Sequence, residues 1–127
     1  MEHTEPRVNG FVNYCGIHVG VPEDGRCEGW CDIEERHLNP WGSAHGGFSF
    51  TMMDTVAGTA LKSVADGRGF VTVSSSVSFL RPVMPGRAIC TAELVKNGRK
   101  IAVVDARICS EDGKLLARGT FEFCCTE

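Results

Sequence analysis

The chain has 127 residues, a net charge of −3 and 43% hydrophobic residues, which is enough for one domain with a real core and too little for two. The basic residues (Arg7, Arg26, Arg36, Arg68, Arg81, Arg87, Arg99 and Lys100 among them) are scattered, with no basic block and no aromatic–basic interleaving, which argues against a nucleic-acid partner. Apolar runs are too short and too rich in Gly and Ser to span a bilayer, and Met1-Glu2-His3-Thr4-Glu5 has no signal-peptide pattern, so a soluble cytoplasmic protein is expected.

In chain order, residues 6–15 read as a short, Gly-interrupted helical arm. Gly16–Val21 and Arg26–Ile33 read as two strands about the turn Pro22-Glu23-Asp24-Gly25. His37–Ala44 is a loop punctuated by Pro40 and Gly42. The seven cysteines are odd in number, sit in apolar or strand-like contexts and follow no secretion signal, so buried reduced thiols are expected. Cys27 and Cys31 lack a second pair or a close His to complete a tetrahedral zinc set, so no metal is expected.

A helix is expected from about Gly46 to about Val64, stopped by Ala65-Asp66-Gly67-Arg68-Gly69. Between Gly46 and Leu61 its only ionisable side chain is Asp54, and it is apolar on every side, the mark of a buried helix. A carboxylate there costs several kcal/mol by order of magnitude unless paired, hydrated or protonated, which marks it for chemistry. The Gly46-Gly47 start offers bare backbone N–H groups, a ready site for an oxyanion.

Phe70–Arg81 alternates, with Val71, Val73, Val77 and Phe79 on one face and Thr72, Ser74, Ser76 and Ser78 on the other. Arg87–Lys96, Arg99–Cys109 across the Asn97-Gly98 turn, and Lys114–Cys125 complete the strands. One buried helix and about five or six antiparallel strands make an α+β plan. A curved antiparallel sheet wrapping a long central helix is a hotdog-like fold. It leaves a face or edge for another copy to cover, so residues 1–127 are expected as a single such domain (1–15 as its arm) that oligomerises.

The pattern Asn39-x-x-Gly42-x-x-His45-Gly46-Gly47-x(4)-Met52-x-Asp54-x(3)-Gly58-x-Ala60 resembles the signature of the PaaI-type hotdog acyl-CoA thioesterases. Phe79-Leu80-Arg81-Pro82, the Asn97-Gly98 hairpin and Gly119-Thr120-Phe121 extend the likeness over most of the chain from Gly16, while Met52 stands where Leu is usual. The resemblance implies an enzyme that hydrolyses acyl-CoA or aroyl-CoA thioesters without a cofactor, coenzyme A being part of the substrate. By it, the Gly46 N–H and the Asn39 side chain polarise the thioester carbonyl. Asp54 acts as general base or as nucleophile, Thr72 holds the water, and His45 orders the loop or touches substrate. Gly47, Phe48, Met52, Phe79 and Arg81 are the substrate-binding candidates, with Arg81, Arg87 and Arg99 offered for the phosphates.

Helical rise separates Gly46 and Asp54 by roughly 12 Å along the axis. Donor and base must each reach one carbonyl within about 3 Å. The site therefore combines Gly46 of one copy with Asp54 of another, in a homodimer or homotetramer. Each residue also has a plain reading: Asp54 as a satisfied cap, the glycines as packing residues, Asn39 as a turn former, Thr72 as a strand former. The competing functions are a non-catalytic acyl-CoA binding or sensing protein, and a hotdog hydratase or dehydratase.

Overall fold

A computed structural model describes residues 9–126. The described residues open with α1 (Gly10–Cys15), within the expected arm, of which residues 1–8 lie outside the described range. Gly16 closes it in the left-handed conformation at φ 74°, as a helix end requires. Strands β1 (His18–Val19) and β2 (Arg26–Ile33) follow, then one 3-10 turn, Glu35–His37. Helix α2 spans Gly46–Lys62, and β3 (Phe70–Phe79), β4 (Gly86–Asn97), β5 (Ile101–Ser110) and β6 (Leu115–Cys125) complete the chain.

The strands form one antiparallel sheet in the order β1-β2-β4-β5-β6-β3, and α2 lies across one face of it. This is the α+β, hotdog-type architecture expected from the sequence. Small inward side chains let the helix lie close: Cys27 and Cys31 of β2, Ala88, Cys90 and Ala92 of β4, and Ala102 and Ala106 of β5 are all buried beneath it. At Gly29 a β-carbon would lie 2.7 Å from the His18 carbonyl and 3.0 Å from a Val56 methyl, so only glycine lets β1, β2 and α2 meet there. The buried cysteines Cys27, Cys31 and Cys90 serve as small apolar residues, and they, Cys15, Cys109 and Cys124 are free thiols. No described helix is long and apolar enough to cross a membrane.

Two details depart from the sequence reading. Helix α2 is not buried all round. Phe48, Ser49, Met52, Met53, Val56, Ala57, Ala60 and Leu61 form its buried stripe, while Phe50, Thr51, Asp54, Thr55, Gly58 and Thr59 are half-buried in the single chain. In β3 the strict alternation fails. Its pairing with β6 slips between Thr72 and Ser74, so Val73 is an extra, bulged residue. Thr72 then opposes Phe123, Ser75 opposes Phe121 and Val77 opposes Gly119, so Thr72 shares the helix-facing side with Ser75, Val77 and Phe79 rather than with Ser74, Ser76 and Ser78.

The sheet has two very different edges. β1 has two residues, too few to template another strand. β3 has ten, Phe70 to Phe79, without one charged side chain, and most of them are exposed.

Candidate active site

Asp54 stands in the middle of α2, on its half-buried face. The bulge at Val73 turns Thr72 toward the helix, and its hydroxyl donates to Asp54 Oδ1 at 2.7 Å. A carboxylate that accepts a hydroxyl proton in this way is held in one orientation, with its second oxygen left for another partner.

The start of α2 is built by the residue before it. His45 is the N-cap, extended at φ −59° and ψ 137°, and its Nδ1 accepts the Gly47 N–H at 2.8 Å. An accepting Nδ1 puts the proton of a neutral imidazole on Nε2. The Gly47 amide is thereby used, and Phe48 and Ser49 donate to the His45 carbonyl. The Gly46 N–H has no acceptor among the described residues. It is the open amide of a 17-residue helix, where the helix dipole favours negative charge. The Phe79 ring packs over Gly46, with its nearest carbon 3.5 Å from where a β-carbon would stand.

Asn39 braces its own loop. Its Oδ1 accepts from the Trp41 and Ser43 amides at 2.9 and 3.3 Å, and its Nδ2 donates to Ser43 Oγ at 3.3 Å, leaving one N–H of the carboxamide. The loop is held to the next one by Ala44 N–H donating to the Val83 carbonyl.

The chain thus brings together Asp54 with Thr72, and Gly46 with His45, Gly47 and Phe79. The two groups sit on one rigid helix, separated by the eight residues from Gly46 to Asp54, roughly 12 Å along the axis. Phe48 is buried and tilts against the His37 ring, centroids 4.5 Å apart. Met52 is fully buried over β4 and belongs to the core of the single chain. Arg81 is exposed and lines a cleft of about 510 Å³ with Lys114, Arg87, Glu111 and Asp112. Arg87 is already engaged: it grips Asp32 with two nitrogens at 2.9 and 3.2 Å and lies over the Trp30 ring at 3.7 Å. That grip holds the Asp32 carboxyl below the usual carboxylate range.

His37 was read from the sequence only as the first residue of a loop, and it is a keystone. It is buried, its Nδ1 accepts the Glu34 N–H at 2.9 Å, and its Nε2–H donates to the Cys15 carbonyl at 2.7 Å. Its own carbonyl accepts the His45 N–H, so one residue links α1, the 35–37 turn and the head of α2. The signal in the sequence was the spacing Glu34-x-x-His37, a reciprocal capping box.

Residues 42–117 match the family model of the thioesterase superfamily. Mouse acyl-coenzyme A thioesterase 13 is 32% identical over 101 residues, covering 78% of this chain and 71% of that protein. Over four curated relatives the chain spans between 53% and 71% of their length. A hypothetical thioesterase from Streptococcus pneumoniae TIGR4, solved with coenzyme A, superposes with a TM-score of 0.80 at 28% identity, covering 87% of this chain and 85% of that one. Escherichia coli PaaI, at 24% identity and covering 94% of this chain and 86% of its own, shares the fold with a TM-score of 0.88. The chain belongs to the thioesterase superfamily, and with it to the enzymes that hydrolyse thioesters.

Proposed function

We propose that the protein hydrolyses acyl- or aroyl-CoA thioesters to free acid and coenzyme A, at sites built between two copies of the chain. The observation that carries this reading is the pairing of Thr72 with Asp54 on the same helix whose first amide, Gly46, is unoccupied. The substrate class is supported by the name of the mouse relative and by the coenzyme A held by the streptococcal one. That streptococcal protein has also been solved with an aspartate, and separately a threonine, replaced by alanine.

The unprotected edge supports the dimer. A ten-residue uncharged strand with a free ladder of N–H and C=O groups pairs readily with another strand, and the two-residue β1 cannot serve. With one such edge the pairing is isologous and closes at two copies. Antiparallel self-pairing of β3 about an axis perpendicular to the sheet sets the Thr72 end of one strand against the Phe79 end of the other. It also keeps both α2 helices on the same side, their half-buried faces toward each other. Thr72 carries Asp54 and Phe79 covers Gly46, so the carboxylate of one copy comes to the open amide of its partner.

In this arrangement the thioester carbonyl rests on the Gly46 N–H, with the free N–H of Asn39 as a second donor. Asp54 takes a proton from water as the water oxygen attacks the carbonyl carbon. The tetrahedral oxyanion is held at the helix tip, the C–S bond breaks, and the proton passes to the departing thiolate. Direct attack by Asp54, forming an anhydride that water then opens, uses the same geometry. A thioester is activated enough for one carboxylate and one oxyanion site to suffice. The test is thiol release from a panel of acyl-CoAs by the native protein and by Asp54→Asn. Release by the native chain and its loss in the variant are expected, whereas tight binding without release marks an acyl-CoA sensor instead.

A further inference from the structure

We infer that the sheet face turned away from α2 carries a binding site for a phosphate dianion, centred on Arg107 and Arg118. It is independent of the thioesterase reading, since α2, with Gly46 and Asp54, covers the opposite face. Arg107 of β5 and Arg118 of β6 stand directly opposite each other in the ladder, and both are exposed. Their strand neighbours Ala106, Ile108 and Ala117 are buried on the helix side, so the two guanidinium side chains share the outer face.

Like charges placed opposite each other across a strand pair repel and destabilise the sheet. Elsewhere on this face such charges find an acid: Arg26 takes Glu93 and Arg87 takes Asp32, each at 2.9 Å. Arg107 and Arg118 take none, and neither side chain has a hydrogen bond or ion pair among the described residues. Asp105, two residues before Arg107 on the same face, accepts from the Thr120 hydroxyl at 2.8 Å. Glu28 stands one strand further out, opposite Thr91. The pair is left with two positive charges and no carboxylate bonded to either.

Hydroxyls continue the row on both sides. Ser78 of β3 opposes Arg118, and Thr91 of β4 opposes Arg107. Neither hydroxyl has a side-chain partner among the described residues. One row across four strands therefore runs hydroxyl, guanidinium, guanidinium, hydroxyl, with every member free to donate. Neighbouring strands lie about 4.8 Å apart, close enough for both guanidinium forks to close on one tetrahedral anion. Planar forks hold phosphate oxygens in pairs, and two charges match a dianion. Beside Arg107 lies a groove of about 640 Å³ whose walls include Glu28, Glu93 and Asp105. Those carboxylates repel an anion from the groove, confine it to the Arg118 side of the row and keep its affinity modest.

Orthophosphate and phosphomonoesters share this chemistry. Melting temperatures of the full chain at pH 8 test the site, in inorganic phosphate, glycerol 3-phosphate or sodium chloride at matched ionic strength. The native protein should melt about 3 °C or more higher in about 50 mM phosphate than in chloride. Arg107→Gln and Arg118→Gln each relieve the repulsion, so neither should melt below the native chain in chloride, and each should lose about two-thirds or more of the phosphate increment. Lys62→Gln, which removes one charge at the end of α2, should keep it. No increment over chloride, an increment that survives in both arginine variants, or one that Lys62→Gln loses equally overturns the site. So does a lower melting temperature of both arginine variants in chloride, which makes the arginines partners of Asp105 or Glu28. An equal or larger rise in glycerol 3-phosphate assigns the site to phosphomonoesters, and a rise in inorganic phosphate alone assigns it to the free ion.

Discussion

Thr72 donates its hydroxyl to Asp54 at 2.7 Å, joining the edge strand of the sheet to the middle of the central helix. This bond exists because a single extra residue, Val73, reverses the side-chain alternation of β3. Without the slip, Thr72 would face outward with Ser74, Ser76 and Ser78, and Asp54 would lack its hydroxyl partner.

Asp54→Asn keeps the shape and removes the carboxylate proposed as base or nucleophile. Turnover of acyl-CoA should fall by about a thousandfold, within the range for loss of a general base. Thr72→Ala should cost about ten- to a hundredfold and Thr72→Ser little, since the serine keeps the hydroxyl. Steady-state thiol release checks all three, with circular dichroism to show that the fold persists.

Charges on the free edge should separate the copies. Ser75→Lys with Ser76→Lys places like charges across any self-pairing of β3. The chain should then elute as a monomer on size exclusion and lose activity without losing its secondary structure.

His45 caps α2 through its Nδ1. Its replacement by Ala should cost about 1 kcal/mol of stability, seen as a melting point lower by a few degrees. Turnover should fall by no more than about tenfold, since Asp54 is the proposed base and the imidazole is left to hold the loop. Loss of activity as deep as that of Asp54→Asn would reassign the base to His45.

Burial pushes the Cys31 thiol up to about 11 from an ordinary 9.0, with Asp32 and Glu34 adding to the rise and Arg36 opposing it. Burial pushes Cys90 up as well. Both thiols stay neutral in the folded chain where the unfolded chain ionises them. Their share of stability is therefore complete below pH 9 and drains as pH climbs toward 11. Urea midpoints measured between pH 8 and 10.5 should fall steadily. A thiol reagent at pH 8 should leave these two cysteines unmodified until the chain unfolds.

The sequence made much of this legible because its signals were local. The uncharged run around Asp54, the Gly46-Gly47 start and the Asn97-Gly98 turn each act within a few residues, and α2, β4 and β5 lie where they were expected. What escaped was set by tertiary pairing. The bulge at Val73 depends on β6, which no alternation count can see. His37 looked like loop because its partners, the Cys15 carbonyl and the Phe48 ring, are distant in the chain. The half-buried face of α2 looked fully buried because its residues are uncharged apart from Asp54, and an apolar pattern cannot tell burial within one copy from partial exposure.

The central claim is that each site takes Gly46 from one subunit and Asp54 from the other. Gly46→Pro removes the amide hydrogen at a position where helices accept proline, and His45 already has the extended backbone that a following proline requires. Alone, Gly46→Pro should lose about two to three decades of rate. Co-refolding it with Asp54→Asn makes half of all dimers hybrids, each with one intact site of two, so about a quarter of the native rate should return. A mixture as inactive as its two parents would contradict the shared site.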